Sequence, residues 1–196
     1  METIRTASVW ADKVQVKKGT LGESLVDQML IDQGYIPYRA IVDEAHPFDR
    51  LCASKDKKRI LIAEVKTKPR RKYYPDTGIN LSCYRTYKNI METYGIPVWL
   101  FFVDEDCAEI YGGELVDLET ERHIMHKGTV LHYPLHQGGI VYFPRVHMKT
   151  YARLPVGAVA ALNGYSTRDV GYAAIPTDGD NGSIVSDCES DEDIPF

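Results

Sequence analysis

An α/β domain with a mixed central β-sheet flanked by helices is the fold class the sequence predicts, and three observations predict it. The first is a segment with helical apolar spacing, Lys18 to Tyr35. The second is a pair of aliphatic runs on either side of the charged turn Ser54-Lys55-Asp56-Lys57-Lys58. The third is Ile96-Pro97-Val98-Trp99-Leu100-Phe101-Phe102-Val103, a run too apolar to face water and therefore a strand inside a sheet. With 196 residues, the chain has length for one domain, read as 1–176, and a tail, 177–196.

Each element follows from its residues. In the first helix Leu25 and Met29 stand at helical spacing and Gly34 is the stop signal, while Thr20-x-x-Glu23 has the form of a capping box. Pro47-Phe48-Asp49-Arg50-Leu51 and Arg59-Ile60-Leu61-Ile62-Ala63-Glu64-Val65-Lys66 read as the two antiparallel strands of a hairpin. Tyr84 to Tyr94 reads as a second helix closed by Gly95, and the Trp99 strand follows it. Glu109 to Gly113 is a short strand and turn, and Gly139 to Pro144 a strand ended by proline. The i, i+3 spacing of His123 and His126 would put two imidazoles on one helical face. Gly128 and Pro134 mark loops there and no third ligand has suitable spacing, so these histidines, with His132, His136 and His147, read as ordinary surface or core residues.

The chemistry gathers at the hairpin. Side chains alternate along a strand, so Glu64 and Lys66 share one face and Val65 takes the other. With Asp49 on the same face, two carboxylates converge on one divalent cation, and hard oxygen ligands suit Mg²⁺ or Mn²⁺. Such an ion polarises a phosphodiester and activates water, and Lys66 would orient that water or offset charge at phosphorus. The plainer reading is an exposed acid and lysine flanking a buried strand. After the hairpin comes a basic run interleaved with aromatics, Lys68, Arg70, Arg71, Lys72, Tyr73 and Tyr74, fit to neutralise phosphates and stack on unpaired bases. Its plainer reading is a solvated loop.

The order of helix with glutamate, strand with aspartate, strand ending Glu-x-Lys, helix and apolar strand resembles the PD-(D/E)XK nuclease superfamily, over about Gly19 to Val116. Here Phe48 stands between Pro47 and Asp49, a departure from the strict Pro-Asp pair. The resemblance implies a restriction-endonuclease-like core, Asp49 and Glu64 as metal ligands with the Val65 carbonyl as a further one, and Lys66 as the catalytic lysine. Glu23 is similar to the first-helix glutamate of archaeal Holliday-junction resolvases, which implies a role toward metal or metal-bound water. DNA as substrate and room for a homodimer are implied in the same way.

From Thr177 to the end the chain holds seven acids and no Lys or Arg, a composition expected to be disordered. Its last residues, Asp191-Glu192-Asp193-Ile194-Pro195-Phe196, closely resemble the tip of bacterial single-stranded-DNA-binding protein, which docks on replication and repair enzymes. The resemblance implies partners that bind that tip, although the body does not read as an OB barrel. The tip either reaches such partners or folds back on the chain's own basic cleft, and both readings stay open.

The net charge of −5 does not argue against nucleic acid. The tail holds seven of the 28 acids and none of the 23 basic residues, so the remainder carries 23 against 21, a net of +2. Cys52, Cys83, Cys107 and Cys188 lack CxxC spacing, so reduced thiols in a bacterial or phage-infected cytoplasm are expected, with no structural zinc and no membrane partner. The sequence thus points to a Mg²⁺-dependent deoxyribonuclease acting on replication, recombination or repair intermediates. A non-catalytic DNA-binding or recruitment protein, or a decoy acting through the tip, is the alternative.

Overall fold

A computed structural model describes residues 13–40 and 47–165. The acidic tail and its Asp191 to Phe196 tip lie outside the described residues. The chain begins with helix α1 (Val14–Asp32), then strands β1 (Tyr35–Tyr38), β2 (Arg50–Ser54), β3 (Ile60–Thr67) and β4 (Asp76–Asn80). Helix α2 (Leu81–Tyr94) leads to β5 (Val98–Asp104), β6 (Glu109–Glu114) and the short helix α3 (Leu115–Leu118). After these come β7 (Arg122–His126), β8 (Thr129–Tyr133), β9 (Leu135–Gln137), β10 (Ile140–Pro144), β11 (Lys149–Arg153) and helix α4 (Val156–Gly164).

A six-stranded sheet in the order β1-β2-β3-β5-β6-β11 forms the centre, antiparallel except where β3 and β5 run parallel. A parallel pair needs a long crossover, and β4 with α2 supplies it. The fold class expected from the sequence is therefore the one present: a mixed sheet with helices on its faces. A three-stranded sheet, β4-β10-β9, and the β7-β8 hairpin are added to it.

Two apolar layers cover the sheet. On one face Ile62, Leu100 and Phe102 pack with Tyr84, Tyr87 and Ile90 of α2 and with Val141 and Phe143 of β10. On the other, Leu61, Ala63, Val65, Phe101 and Val103 pack with Val26, Met29 and Leu30 of α1 and Leu162 of α4. The Trp99 strand is buried on both faces, as its unbroken apolar run requires.

Local boundaries differ from expectation where packing outweighs local signals. Helix α1 starts at Val14, so Thr20 lies inside it and its hydroxyl bonds back to the Val16 carbonyl at 3.0 Å. The capping-box reading of Thr20 and Glu23 is thereby corrected. Helix α2 starts at Leu81 and ends as expected at Gly95, whose φ of 64° is the left-handed conformation glycine tolerates. The His123 region is a strand, not a helix face. It folds back at Lys127-Gly128, both at positive φ, so that His123 faces His132 across the hairpin with ring centroids 4.3 Å apart.

Candidate active site

Strand alternation assigns each hairpin side chain to a face. Ile62, Glu64 and Lys66 point toward α2, and Ala63 and Val65 toward α1. Leu51 packs on the α2 side and Cys52 on the α1 side. Arg50 pairs with Ala63, so Asp49, one step further, stands opposite Glu64 on the α2 side. The structure thus brings Asp49, Glu64 and Lys66 together on one face.

Both carboxylates are held. Asp49 Oδ2 accepts a hydrogen bond from the Val65 amide at 2.7 Å. The N–H and C=O of one strand residue point to the same side, so the Val65 carbonyl turns the same way. Glu64 is 3% exposed; its Oε1 accepts from Lys66 Nζ, while its Oε2 is buried without a hydrogen-bond partner. The Tyr87 hydroxyl acts on the same carboxylate from α2. Burial raises the Glu64 pKa, the Lys66 ammonium partly counters this, and the Asp49 charge raises it further. Burial would lower the Lys66 pKa, but Glu64 and then Asp49 pull it up on balance, so Lys66 stays protonated. Burial and the Glu64 charge push the Tyr87 hydroxyl far above the usual phenol range, so it is a neutral group at any working pH.

These residues fit a hard divalent cation. Two carboxylates face each other across the strand pair with one ammonium, Lys66, beside them, so negative charge remains that a cation would compensate. Among the described residues no group of three or more His, Cys, Asp or Glu side chains stands close enough to hold a metal. On this face the groups that could hold such an ion are the Asp49 and Glu64 carboxylates and the Val65 carbonyl.

Glu23 belongs to a different cluster. Arg50, 3% exposed, donates to Glu23 Oε2 at 3.0 Å and grips Asp27 with two bonds, at 2.8 and 2.9 Å. All three lie on the α1 side of the sheet. Burial would lower the Arg50 pKa, but Asp27 and then Glu23 raise it on balance, so the guanidinium is a fixed cation.

The basic run divides. Lys68 Nζ donates to the Gly78 carbonyl beneath β4, and burial, then the Lys66 charge, depress its pKa to about 8. Arg70 bonds Asp104 at 3.2 Å. Arg71 makes two bonds to the buried Asp76, at 2.6 and 2.8 Å, and its guanidinium lies 4.1 Å from the Tyr74 ring and 3.9 Å from the Tyr142 ring. Tyr133 completes this cluster with a 2.6 Å bond to Asp76. Lys72, Tyr73 and Tyr74 are the exposed members, with Tyr73 at 66% and Tyr74 at 43%. His126 Nε2 lies 3.0 Å from the Tyr73 carbonyl, so the β7-β8 hairpin steadies this loop.

Sequence reasoning passed over three residues of this region. Arg50 sits inside the quoted hairpin and its burial is not a sequence signal. Tyr87 lies on the expected helix, and only the crossover geometry aims it at Glu64. Asp76 follows the basic run with nothing in the sequence to single it out, and it is fully buried.

The chain matches no protein-family model and no curated protein. Among solved structures it is similar to Hjc, a Holliday junction resolvase from the hyperthermophilic archaeon Archaeoglobus fulgidus. That similarity has a TM-score of 0.45 and 12% identity, over 66% of this chain and 90% of that one.

Proposed function

We propose that this protein is a metal-dependent nuclease that hydrolyses DNA phosphodiesters. The observation that carries the reading is the pairing of Asp49 with Glu64 on one sheet face, where Glu64 has a buried oxygen without a donor and Lys66 stands alongside. Mg²⁺ or Mn²⁺, held by Asp49, Glu64 and the Val65 carbonyl, would supply Lewis acidity toward phosphate and a more acidic water. The chain's own part is electrostatic and positional. The Lys66 ammonium places fixed positive charge beside the carboxylates, where negative charge builds on a phosphate under attack. Lys72, Tyr73 and Tyr74 offer a cation and two aromatic faces to the backbone and to unpaired bases. Lys68, Arg70 and Arg71 act mainly by shaping that loop, since each has an internal partner.

The test is cleavage of labelled duplex, single strand, fork and four-way junction with Mg²⁺, Mn²⁺ or EDTA. Asp49→Ala and Lys66→Ala are each expected to cut at least about 100-fold more slowly, as losses of one metal ligand or one transition-state cation do. Folded wild-type protein that cuts none of these substrates would refute the enzyme reading.

A second reading is favoured by the Ile194-Pro195-Phe196 run after an acidic stretch, which fixes residue types and their order together. In it, the tail brings the protein to enzymes that bind the same tip, with Phe196 as the apolar anchor and Asp191 to Asp193 on a basic rim. Deleting Phe196 should abolish capture of such an enzyme while intrinsic cleavage of naked DNA is retained. A recruitment protein or decoy would lose its whole function instead.

A further inference from the structure

The Arg50 guanidinium has a third engagement besides its two acids: its Nη1 donates to the main-chain carbonyl of Asp49 at 2.8 Å. Asp49 is thus pinned at both ends, its carbonyl by Arg50 and its carboxylate by the Val65 amide. The Arg50 pin comes from the α1 face, and the Val65 pin is a main-chain amide of β3 within the sheet. Glu23, Asp27 and the Arg50 side chain occupy the α1 side, whereas Asp49 and Glu64 face α2. Glu23 makes its hydrogen bond to the same Nη1 that holds the Asp49 carbonyl.

We propose that Arg50 is a positioning residue that sets the placement of Asp49 from behind the sheet, and that Glu23 acts on the metal site only through Arg50, as its counter-charge rather than as a ligand. Arginine suits this task because its planar fork satisfies Asp27 with two parallel bonds and still points a donor at the carbonyl; lysine, with one ammonium, cannot hold all three acceptors in that geometry. The inference rests on the metal-site reading above and assigns two further residues to it. It also separates Glu23 from Asp49 and Glu64 in kind: losing a ligand removes a bond to the ion, whereas losing Glu23 loosens a clamp.

The test is a double-mutant cycle read as Mn²⁺ affinity by calorimetry, with thermal unfolding recorded for every variant. The variants are Glu23→Gln, Arg50→Lys and the two combined, beside Asp49→Asn as a ligand loss. Each single change at Glu23 or Arg50 is expected to weaken Mn²⁺ by about tenfold, the lower end for residues that orient a ligand. The double variant is expected to bind no more weakly than Arg50→Lys alone, because both changes break one clamp. Asp49→Asn should abolish measurable binding.

Three results overturn the proposal. One is Glu23→Gln costing the same factor with or without Arg50, the behaviour of a direct ligand. Another is Arg50→Lys folding well with unchanged Mn²⁺ affinity. The third is wild-type protein that binds no Mn²⁺, which removes the metal-site reading and this inference together. If Arg50→Lys fails to fold, Asp27→Asn takes its place in the cycle. It loosens the same guanidinium and is expected to show the same loss of additivity with Glu23→Gln.

Discussion

At the residue scale the site is governed by charges placed where water does not reach them. Lys68 shows the consequence in measurable form. Its folded pKa, about 8, lies below that of an unfolded lysine, roughly 10.4, so between the two values the unfolded chain holds a proton that the folded chain has lost. Stability therefore rises with pH through that window, and it lacks this contribution below about 8, where both states are charged. The unfolding midpoint of wild-type protein is expected to gain on Lys68→Met between pH 7 and 9.5, because the methionine variant has no such group to discharge. Equal pH slopes for the two proteins would remove this account of Lys68. The sequence made Asp49, Glu64, Val65 and Lys66 legible because a two-residue period and a hairpin turn suffice to put three polar groups on one face. It could not reveal that Glu64 Oε2 is buried without a donor, that Lys68 turns inward or that Arg71 is spent on Asp76. Those facts depend on β4 and β10, strands 60 residues apart that pair Ile140 with Asn80.

At the element scale, α1 lies so close to the sheet that one position admits only glycine. A Cβ on Gly22 would stand 1.8 Å from Thr67 Oγ1, on the strand that carries Glu64 and Lys66. Gly22→Ala must push helix from strand and is expected to cost about 1–3 kcal/mol, the range for overpacking a core, in urea unfolding. Thr67→Ala removes the obstructing hydroxyl, which is buried without a partner, so the double variant should recover much of that loss. An additive double variant would show that the contact is not the cause. The same helix explains where element reading failed. Gly19, Thr20 and Gly22 look like a start signal, and only burial of Gly22, Val26, Met29 and Leu30 shows why the helix continues through them. Strand β4, Asp76-Thr77-Gly78-Ile79-Asn80, was hidden for a related reason. It has no apolar alternation and contains a glycine, because the Gly78 Cβ position is filled by the Val141 carbonyl at 2.4 Å.

At the scale of the whole molecule, the uneven placement of charge is the main lever. Removing residues 177–196 takes away seven acids and turns a net of −5 into +2. The shortened protein is expected to bind a DNA duplex more tightly at low salt, with a steeper loss of affinity as salt rises, as counterion release dictates. An unchanged salt slope would mean that the acids do not bear on DNA contact. None of the helices among the described residues is long and apolar enough to cross a membrane.

The two rims of the central sheet carry a consequence of their own. Strand β1 is four residues long and contains Pro37, which has no amide hydrogen to offer, and β11 is interrupted by a bulge between Thr150 and Ala152 and ends on the exposed Arg153. A proline, a bulge and a terminal charge are the devices that stop one sheet from templating the next. Among the described residues, the rims of the central sheet therefore present no straight hydrogen-bonding ladder for a second copy of the chain to extend. A second copy that meets the central sheet must meet it on a face or a loop rather than along a rim.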